Sequence, residues 1–260
     1  IRVRIRIITS TSKFNCRRLI TVVFVIVLVE GIVIVIIIII VIVIEIVIKV
    51  DPNQKSRTYK PIDFQKLSVD EIKNTILDSG CWPFINQRPY DIIANPSDKP
   101  KSIFISAFNS APISADISTI LSGQEEEFKT GIKVLSLLTD GKINVGVKKD
   151  SISFINEIEN INIYYVKGPH PSANVGVHIH HLDPINFGER VWTVRPEDVA
   201  IIGRLFKTGF YKPFRTIAVA GPPVTNPKYY KTTVGAKISD IINDAGYRTD
   251  SLLRFINGDV

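Results

Sequence analysis

The 260-residue sequence contains no methionine and only two cysteines, Cys16 and Cys81. Two thiols are too few to ligate an iron–sulfur cluster or to form a framework of disulfides, which favours a reducing compartment. The sequence also lacks the GxGxxG and GxxxxGK[S/T] segments that bring a backbone close to phosphates, and the GxSxG turn of serine hydrolases. These absences argue against independent catalysis, and the residues alone identify no catalytic group.

The net charge of +7 is distributed unevenly along the chain. Six basic residues precede the first acidic residue, Glu30, so the remainder of the chain is close to neutral. No basic stripe with interleaved aromatic residues is present, and the composition therefore argues against a nucleic-acid partner.

Residues 1–50 form an anomalous segment, in which positions 32–44 are all isoleucine or valine. The apolar run exceeds the roughly 20 residues that a membrane helix needs, although Glu30 lies within it. Its β-branched residues instead favour strands, and the alternation over residues 44–50 predicts one there. A third interpretation is that residues 1–42 are not an authentic protein sequence, for example because of a frame error. These three interpretations remain open.

The chain from residue 60 onward has the pattern of an α/β domain. Ser68 and Glu71 form a capping-box pattern, and Gly80 is placed to end the helix that follows them. A second helix is expected to begin near Ser122 and Glu125, and a third between Pro196 and Gly209. Strands are predicted between the helices, at residues 102–108, 143–147, 161–166, 191–194 and 216–220. Strands alternating with helices predict a mainly parallel sheet with ligands at its carboxyl edge.

Two proline-containing segments are predicted to be ordered surface loops, residues 81–90 and residues 168–190. Pro83 and Pro89 prevent the first from continuing a helix, and Cys81 is expected to be buried beside it. Loops stiffened by proline lose little entropy on association, so both segments are candidates for protein contacts. Arg88 could meet a phosphate or carboxylate there, although a structural salt bridge is the favoured alternative.

All four histidines lie in the second of these segments, at positions 170, 178, 180 and 181. In a strand, His178 and His180 would share one face and His181 would point to the other. Two imidazoles without a nearby cysteine are weak evidence for a metal, and we expect no metal site. A hydrogen-bonded role in a loop or interface is favoured, with quinone or anion contact as the alternative.

Several segments of the sequence resemble the A subunit of the sodium-translocating NADH:quinone oxidoreductase, the NQR complex. Residues 215–242 resemble the start of that family's soluble ligand-binding β-grasp module. The segments occur in the family's order, and they are DSGCWPFINQRPYDIIANP (78–96), IFISAFNSAPISAD (103–116), TGIKVLSLLTDGKINVG (130–146), GPHPSANVGVHIHHLDPIN (168–186) and VWTVRPEDVAIIGRLFKTG (191–209).

The resemblance implies a three-part organisation. Residues 1–50 would be the remnant of an N-terminal lipoyl-like β domain. Residues 60–210 would form an α/β Rossmann-like domain, similar to the NADH-binding flavoprotein subunit of respiratory complex I. Residues 211–260 would begin a truncated β-grasp module, so the chain is expected to be a partial copy of its family.

The function implied by the resemblance is that of a soluble, peripheral and noncatalytic subunit. It would support electron transfer from NADH to ubiquinone, coupled to Na⁺ export, at the cytoplasmic face of the bacterial inner membrane. Flavins and iron–sulfur centres would belong to partner subunits B to F, and no cofactor to this chain. Candidates for quinone or interface contact are Arg88, His170, His178 and His180. The alternative is a free-standing protein that binds a quinone or nucleotide through its β-grasp module.

Overall fold

The computed structural model describes the strand backbones at residues 7–10, 21–29 and 32–40, residue 59, and residues 63–149, 153–249 and 252–258. The chain divides into two units, residues 1–55 and 56–260. Within the described residues, no helix is long and apolar enough to cross a membrane.

The first unit contains an antiparallel sheet of three strands, β1 (Ile7–Ser10), β2 (Thr21–Val29) and β3 (Ile32–Ile40), in that order. Val29 pairs with Ile32, and the register continues to Thr21 opposite Ile40. Strands are what the β-branched composition favours among the three interpretations. The strand predicted over residues 44–50 lies outside the described residues.

The second unit is built on a six-stranded, mostly parallel sheet in the order β5-β4-β9-β6-β7-β8. Strands β6 to β9 are parallel, whereas β4 runs antiparallel to both of its neighbours. The strands are β4 (Ile85–Arg88), β5 (Ile92–Ile93), β6 (Ile103–Ser106), β7 (Ile143–Val147), β8 (Ile161–Tyr165) and β9 (Val191–Val194). This arrangement confirms the predicted α/β sheet.

Helices cover both faces of this sheet. Alternate residues of β6 point to opposite sides, so Ile103 and Ile105 join the main core while Phe104 packs with Ile179 of α4. The helices are α1 (Val69–Asp78), α2 (Ile117–Leu121), α3 (Glu125–Ser136), α4 (Val175–Leu182) and α5 (Pro196–Thr208), with 3₁₀ turns at Phe64–Lys66, Trp82–Phe84 and Ser153–Glu157.

Helices α3 and α5 pack at unusually close range because glycines occupy their crossing point. A Cβ atom on Gly203 would lie 1.8 Å from the carbonyl oxygen of Glu127, and one on Gly131 would lie 2.1 Å from that of Val199. No other residue fits at either position without movement of the backbone. The two helices therefore form one closely packed layer against the sheet.

The local signals at helix ends are mostly confirmed. Ser68 and Glu71 form the predicted capping box, with Gly80 beyond the end of α1 at a φ of +79°. Pro196 occupies the first turn of α5, and Gly209 ends that helix in the left-handed region. Helix α3 begins at Glu125, as predicted, and its N-cap is Gln124. Helix α2, whose cap is the Asp116 side chain, was not predicted from the sequence.

Two segments predicted to be loops contain regular structure. Residues 85–88 of the first are β4, which pairs with β9 inside the sheet. Residues 175–182 of the second are α4, so the strand geometry considered for the histidines is wrong. In both cases the buried side chains fix the structure: Ile85 is inaccessible to solvent, and Ile179 packs against Phe104.

The C-terminal part of the second unit is a hairpin followed by a helix. Strands β10 (Phe214–Val219) and β11 (Lys228–Thr233) pair antiparallel, with Phe214 opposite Thr233. Helix α6 (Ile238–Ala245) follows, and Val224 forms a bridge with Tyr247. Thr216, the first residue of the predicted strand over 216–220, lies within β10.

Candidate functional site

The order of the sheet reverses between β6 and β9. From β6 the chain proceeds outward through β7 to β8, and then returns to place β9 on the opposite side of β6. In open α/β sheets, ligands bind in the crevice outside the carboxyl ends of the strands that flank such a reversal. The fold therefore directs attention to the space beyond Ser106 and Val194, the last residues of these two strands.

A crevice of about 560 Å³ occupies this position, and we call it the switch-point crevice. Its volume lies within the range of roughly 300–1,000 Å³ that is typical of small-molecule sites. Its lining comes from β4, from the ends of β6 and β9, from the start of α4 and α5, and from Arg215 of β10. The alternation of strands and helices predicted ligands at this edge of the sheet, but the residues that form the walls were not predicted.

Polar side chains of β4 and β9 line the sheet side of the crevice. Asn86 lies directly opposite Thr193 in the pairing of the two strands. The Asn86 amide donates to Asp91 at 3.4 Å, and the Asp91 carboxylate lies 3.3 Å from Nε of Arg88. Arg88 is thus both a lining residue and a member of a short-range ion pair, which is the structural role favoured for it from the sequence.

A buried ion-pair cluster joins the start of α5 to β10. The Arg215 guanidinium contacts the carboxylates of Glu197 and Asp198, and it lies 5.0 Å from the centre of the Phe84 ring. The backbone N–H of Thr216 donates to Glu197 at 2.7 Å. Burial raises the pKa of Asp198 to about 6, so its carboxylate is still ionised at neutral pH beside Arg215.

His178 is buried within a hydrogen-bonded cluster between α4 and β8. Its Nδ1 atom lies 2.9 Å from the Tyr164 hydroxyl, and its Nε2 atom lies 2.6 Å from the carbonyl oxygen of Ser172. Since a carbonyl only accepts, Nε2 carries the proton and Nδ1 accepts from Tyr164. The ring stacks on Phe108, and burial lowers the pKa of His178. Both ring nitrogens are therefore occupied in holding the fold.

The other histidines are exposed and lie apart from this buried cluster. His170 Nδ1 lies 3.2 Å from the Ser110 hydroxyl, whereas the His180 ring packs edge-on against His181. Neither His170 nor His180 lines the switch-point crevice, so of the four candidate residues only Arg88 does. Among the described residues, no group of three or more His, Cys, Asp or Glu side chains could hold a metal ion.

Comparison with known families matches most of the second unit. Residues 67–211 match the model described as the NqrA second alpha/beta domain, and residues 216–260 match the model described as the NQRA C-terminal domain. The first match alone spans more than half of the chain. The chain belongs to the NqrA family.

Curated NqrA relatives are named as the A subunit of the Na⁺-translocating NADH-quinone reductase. The relative from Neisseria meningitidis serogroup B is 36% identical over 216 residues, which cover 82% of this chain and 48% of the relative. Those from Hahella chejuensis and Photorhabdus laumondii are 35% and 33% identical, over 82% and 78% of this chain and 47% and 45% of their own lengths. The chain thus spans about half the length of the curated relatives it matches.

Solved structures support the NqrA fold at a more distant level. Two structures of an NAD⁺-reducing [NiFe]-hydrogenase, in the H₂-reduced and air-oxidised states, each match with a TM-score of 0.52 and 12% identity. The first covers 69% of this chain and 39% of the hydrogenase chain, and the second covers 71% and 40%. At this identity the likeness shows a shared α/β architecture alone.

The switch-point crevice of this NqrA chain contains residues that were not predicted from the sequence to be functional. Arg195 precedes α5, Arg215 lies twenty residues further along the chain, and Phe108 follows β6. An arginine directly before a proline-initiated helix was an available signal, because that helix start faces the carboxyl edge of the sheet. No comparable sequence signal predicts that Arg215 lines the crevice, since its position depends on how β10 folds back against α5.

Proposed function

We propose that this chain functions as a peripheral, noncatalytic subunit of a Na⁺-translocating NADH-quinone reductase. The observation that carries the proposal is the presence of two NqrA family domains in consecutive order, at residues 67–211 and 216–260. The curated relatives are named as the A subunit of that reductase. Membership of a complex implies partners, and we infer that the membrane subunits hold this chain at the cytoplasmic face of the inner membrane.

The redox chemistry of the complex is assigned to the partner subunits. NADH oxidation, flavins, iron–sulfur centres and the coupled movement of Na⁺ would all reside there, with this chain supporting electron flow to quinone. In support, the sequence contains neither a glycine-rich phosphate loop nor enough cysteines for a cluster. Arg88 is the candidate for quinone contact whose side chain lines a crevice of suitable size.

The surfaces proposed to contact partner subunits are the exposed apolar residues in and beside the two proline-containing segments. Tyr90 is 82% exposed, and Ile92 and Ile93 of edge strand β5 are each more than half exposed. Phe187, between α4 and β9, is fully exposed. Large apolar side chains concentrated on preorganised turns are typical of protein interfaces, because little entropy is lost when they dock.

The remaining assignments concern the ends of the chain. We infer that the N-terminal strands derive from a lipoyl-like β domain. We also infer that residues 211–260 begin a β-grasp module, in which the β10–β11 hairpin and α6 would be its first elements. A fold comparison of a full-length relative over these two regions would test both assignments.

Co-purification tests the assembly proposal. The affinity-tagged chain would be co-expressed with the membrane subunits in a bacterium that lacks its own NqrA, and the complex would be solubilised in mild detergent. The membrane subunits are expected to elute with the tagged chain. Elution of the folded chain alone, while a tagged full-length relative retains the same subunits, would contradict the proposal for this chain.

A further inference from the structure

Arg195 is a cation without a direct partner at the mouth of the switch-point crevice. Its side chain is exposed, and it forms no hydrogen bond or ion pair with any residue that the structure describes. As the N-cap residue of α5 it cannot accept a hydrogen bond from the first turn, because a guanidinium carries only donors. Its donors are therefore available to a molecule in the crevice.

Arg88 supplies a second guanidinium with unused donors. Its Nε atom is buried and makes no hydrogen bond within the described residues, although the Asp91 carboxylate lies at an ion-pair distance of 3.3 Å. Its terminal nitrogens also make no hydrogen bond to a described residue. Because Nε is inaccessible to solvent, the terminal nitrogens are the donors of Arg88 that an acceptor in the crevice could meet.

The charges that line the crevice favour an anion. Three arginines and two aspartates contribute to the wall. Arg215 is already paired with both Asp198 and Glu197, and Arg88 is partly neutralised by Asp91. Arg195 acts on Asp198 only through space and contacts no carboxylate of the described residues, so the preference for an anion comes from Arg195 and from the free terminal nitrogens of Arg88. A carboxylate or phosphate group would complete the pairing, since arginine binds both groups through two parallel hydrogen bonds.

The rest of the lining indicates that the ligand has an apolar or flat body. Phe84, Phe108, Ile117 and Val175 contribute aromatic and aliphatic surface beside the polar side chains. A cavity of about 560 Å³ is much larger than a bare inorganic ion requires. The ligand chemistry that fits both parts is a small organic molecule with one anionic group.

We propose that the switch-point crevice binds a small organic anion, whose carboxylate or phosphate group is held by Arg195 and Arg88. The apolar body of the ligand lies against Phe84 and Phe108. This proposal does not rest on assembly with membrane subunits, because every residue that it assigns to the ligand lies in the described part of this chain. Failure of one proposal would therefore leave the other standing.

Calorimetric titration of the whole purified chain tests the site. Adenosine 5′-monophosphate and benzoate serve as the phosphate and carboxylate probes, and adenosine and benzyl alcohol as their uncharged counterparts. At least one anion is expected to bind with a Kd below about 1 mM, and its neutral counterpart at least about tenfold more weakly. Which of the two anions binds distinguishes a phosphate ligand from a carboxylate ligand.

Three variants locate the binding. Arg195→Gln and Arg88→Gln should each weaken anion binding by about tenfold or more, because each removes a charge-assisted contact. Lys207→Gln is the matched control, since Lys207 is exposed in the last turn of the same helix and does not line the crevice. Circular dichroism would show that all three variants are folded.

The proposal is overturned if neither anion binds below about 1 mM, or if Arg195→Gln binds as tightly as the unchanged chain. Equal affinity for an anion and its neutral counterpart would also overturn it, because the arginines would then make no electrostatic contribution. The proposal would also be overturned if the crevice bound only a neutral quinone and neither arginine variant changed the affinity for that quinone.

Discussion

Replacement of Arg215 by glutamine should lower the free energy of unfolding by about 3–5 kcal/mol at pH 7.5. Arg215 is the cation that compensates Asp198, whose side chain is only 5% exposed. The substitution removes the cation but leaves the buried carboxylate, which is the costly way to break such a pair. The contact of the guanidinium with the Phe84 ring is lost as well.

The pH dependence of this loss follows from the titration of Asp198. Burial raises its pKa to about 6 from the ordinary value of 3.8, even with Arg215 present. Without Arg215 that pKa rises further, so the folded variant retains a proton that the unfolded chain releases. Relative to a variant that also carries Asp198→Asn, its free energy of unfolding should therefore increase as the pH falls from 7.5 toward 5, by up to about 1.4 kcal/mol per pH unit.

Urea unfolding followed by circular dichroism at pH 7.5 and pH 5 measures both effects. The double variant Asp198→Asn/Arg215→Gln is the control, because it removes the buried charge together with its partner. It should be more stable than Arg215→Gln alone at pH 7.5. A loss below about 1 kcal/mol for the single variant, or a double variant that is no more stable, would refute the reasoning.

Three further predictions concern the core and the surface. Gly203→Ala should destabilise the chain by about 3 kcal/mol or more in urea unfolding, because its Cβ would overlap the Glu127 carbonyl; an unchanged midpoint would show that α3 and α5 can separate. His178→Leu should cost about 2–4 kcal/mol at pH 7.5, and since burial lowers the pKa of His178, this difference from the unchanged chain should shrink as the pH falls below about 6.5; a difference independent of pH between 7 and 5 would contradict this. Arg88→Glu and His170→Ala should each reduce the recovery of membrane subunits in co-purification while changing the melting temperature little. The control Lys133→Glu on α3 should change neither quantity. Full recovery with both loop variants would show that these loops do not contact the membrane subunits.

The elements that the sequence predicted are those whose signals are local. The capping box of Ser68 and Glu71 needs only four consecutive residues, and the structure confirms it. The helix from Pro196 to Gly209 carries its own start and stop signals, and its bounds agree closely with α5. Strand β7 is a short apolar run that is buried along its whole length, as a central parallel strand requires.

The elements that the sequence misjudged depend on distant partners. Residues 85–88 have prolines on both flanks and read as a loop, but pairing with β9 makes them a strand. The histidine segment reads as a loop or strand, yet packing of Ile179 against Phe104 makes it a helix. The close approach of Gly131 and Gly203 is likewise visible only after two separate helices are brought together.

The candidate site shows the same division. The carboxyl edge of the parallel sheet could be anticipated from the alternation of strands and helices. Arg88 could be singled out because it lies directly before Pro89 in a segment that contains two prolines. The combination of Arg88, Arg195 and Arg215 around one crevice could not, because the three residues come from different strands and a helix start that only the folded topology brings together.

We have proposed that this chain supports quinone reduction in the reductase complex without a redox group of its own. The most direct measurement is the visible absorption spectrum of the purified chain, combined with its rate of NADH oxidation before and after addition of the partner subunits. We expect no visible chromophore, and NADH oxidation only when the partners are present. A tightly held flavin or metal centre in the isolated chain, with NADH turnover by that chain alone, would contradict the account.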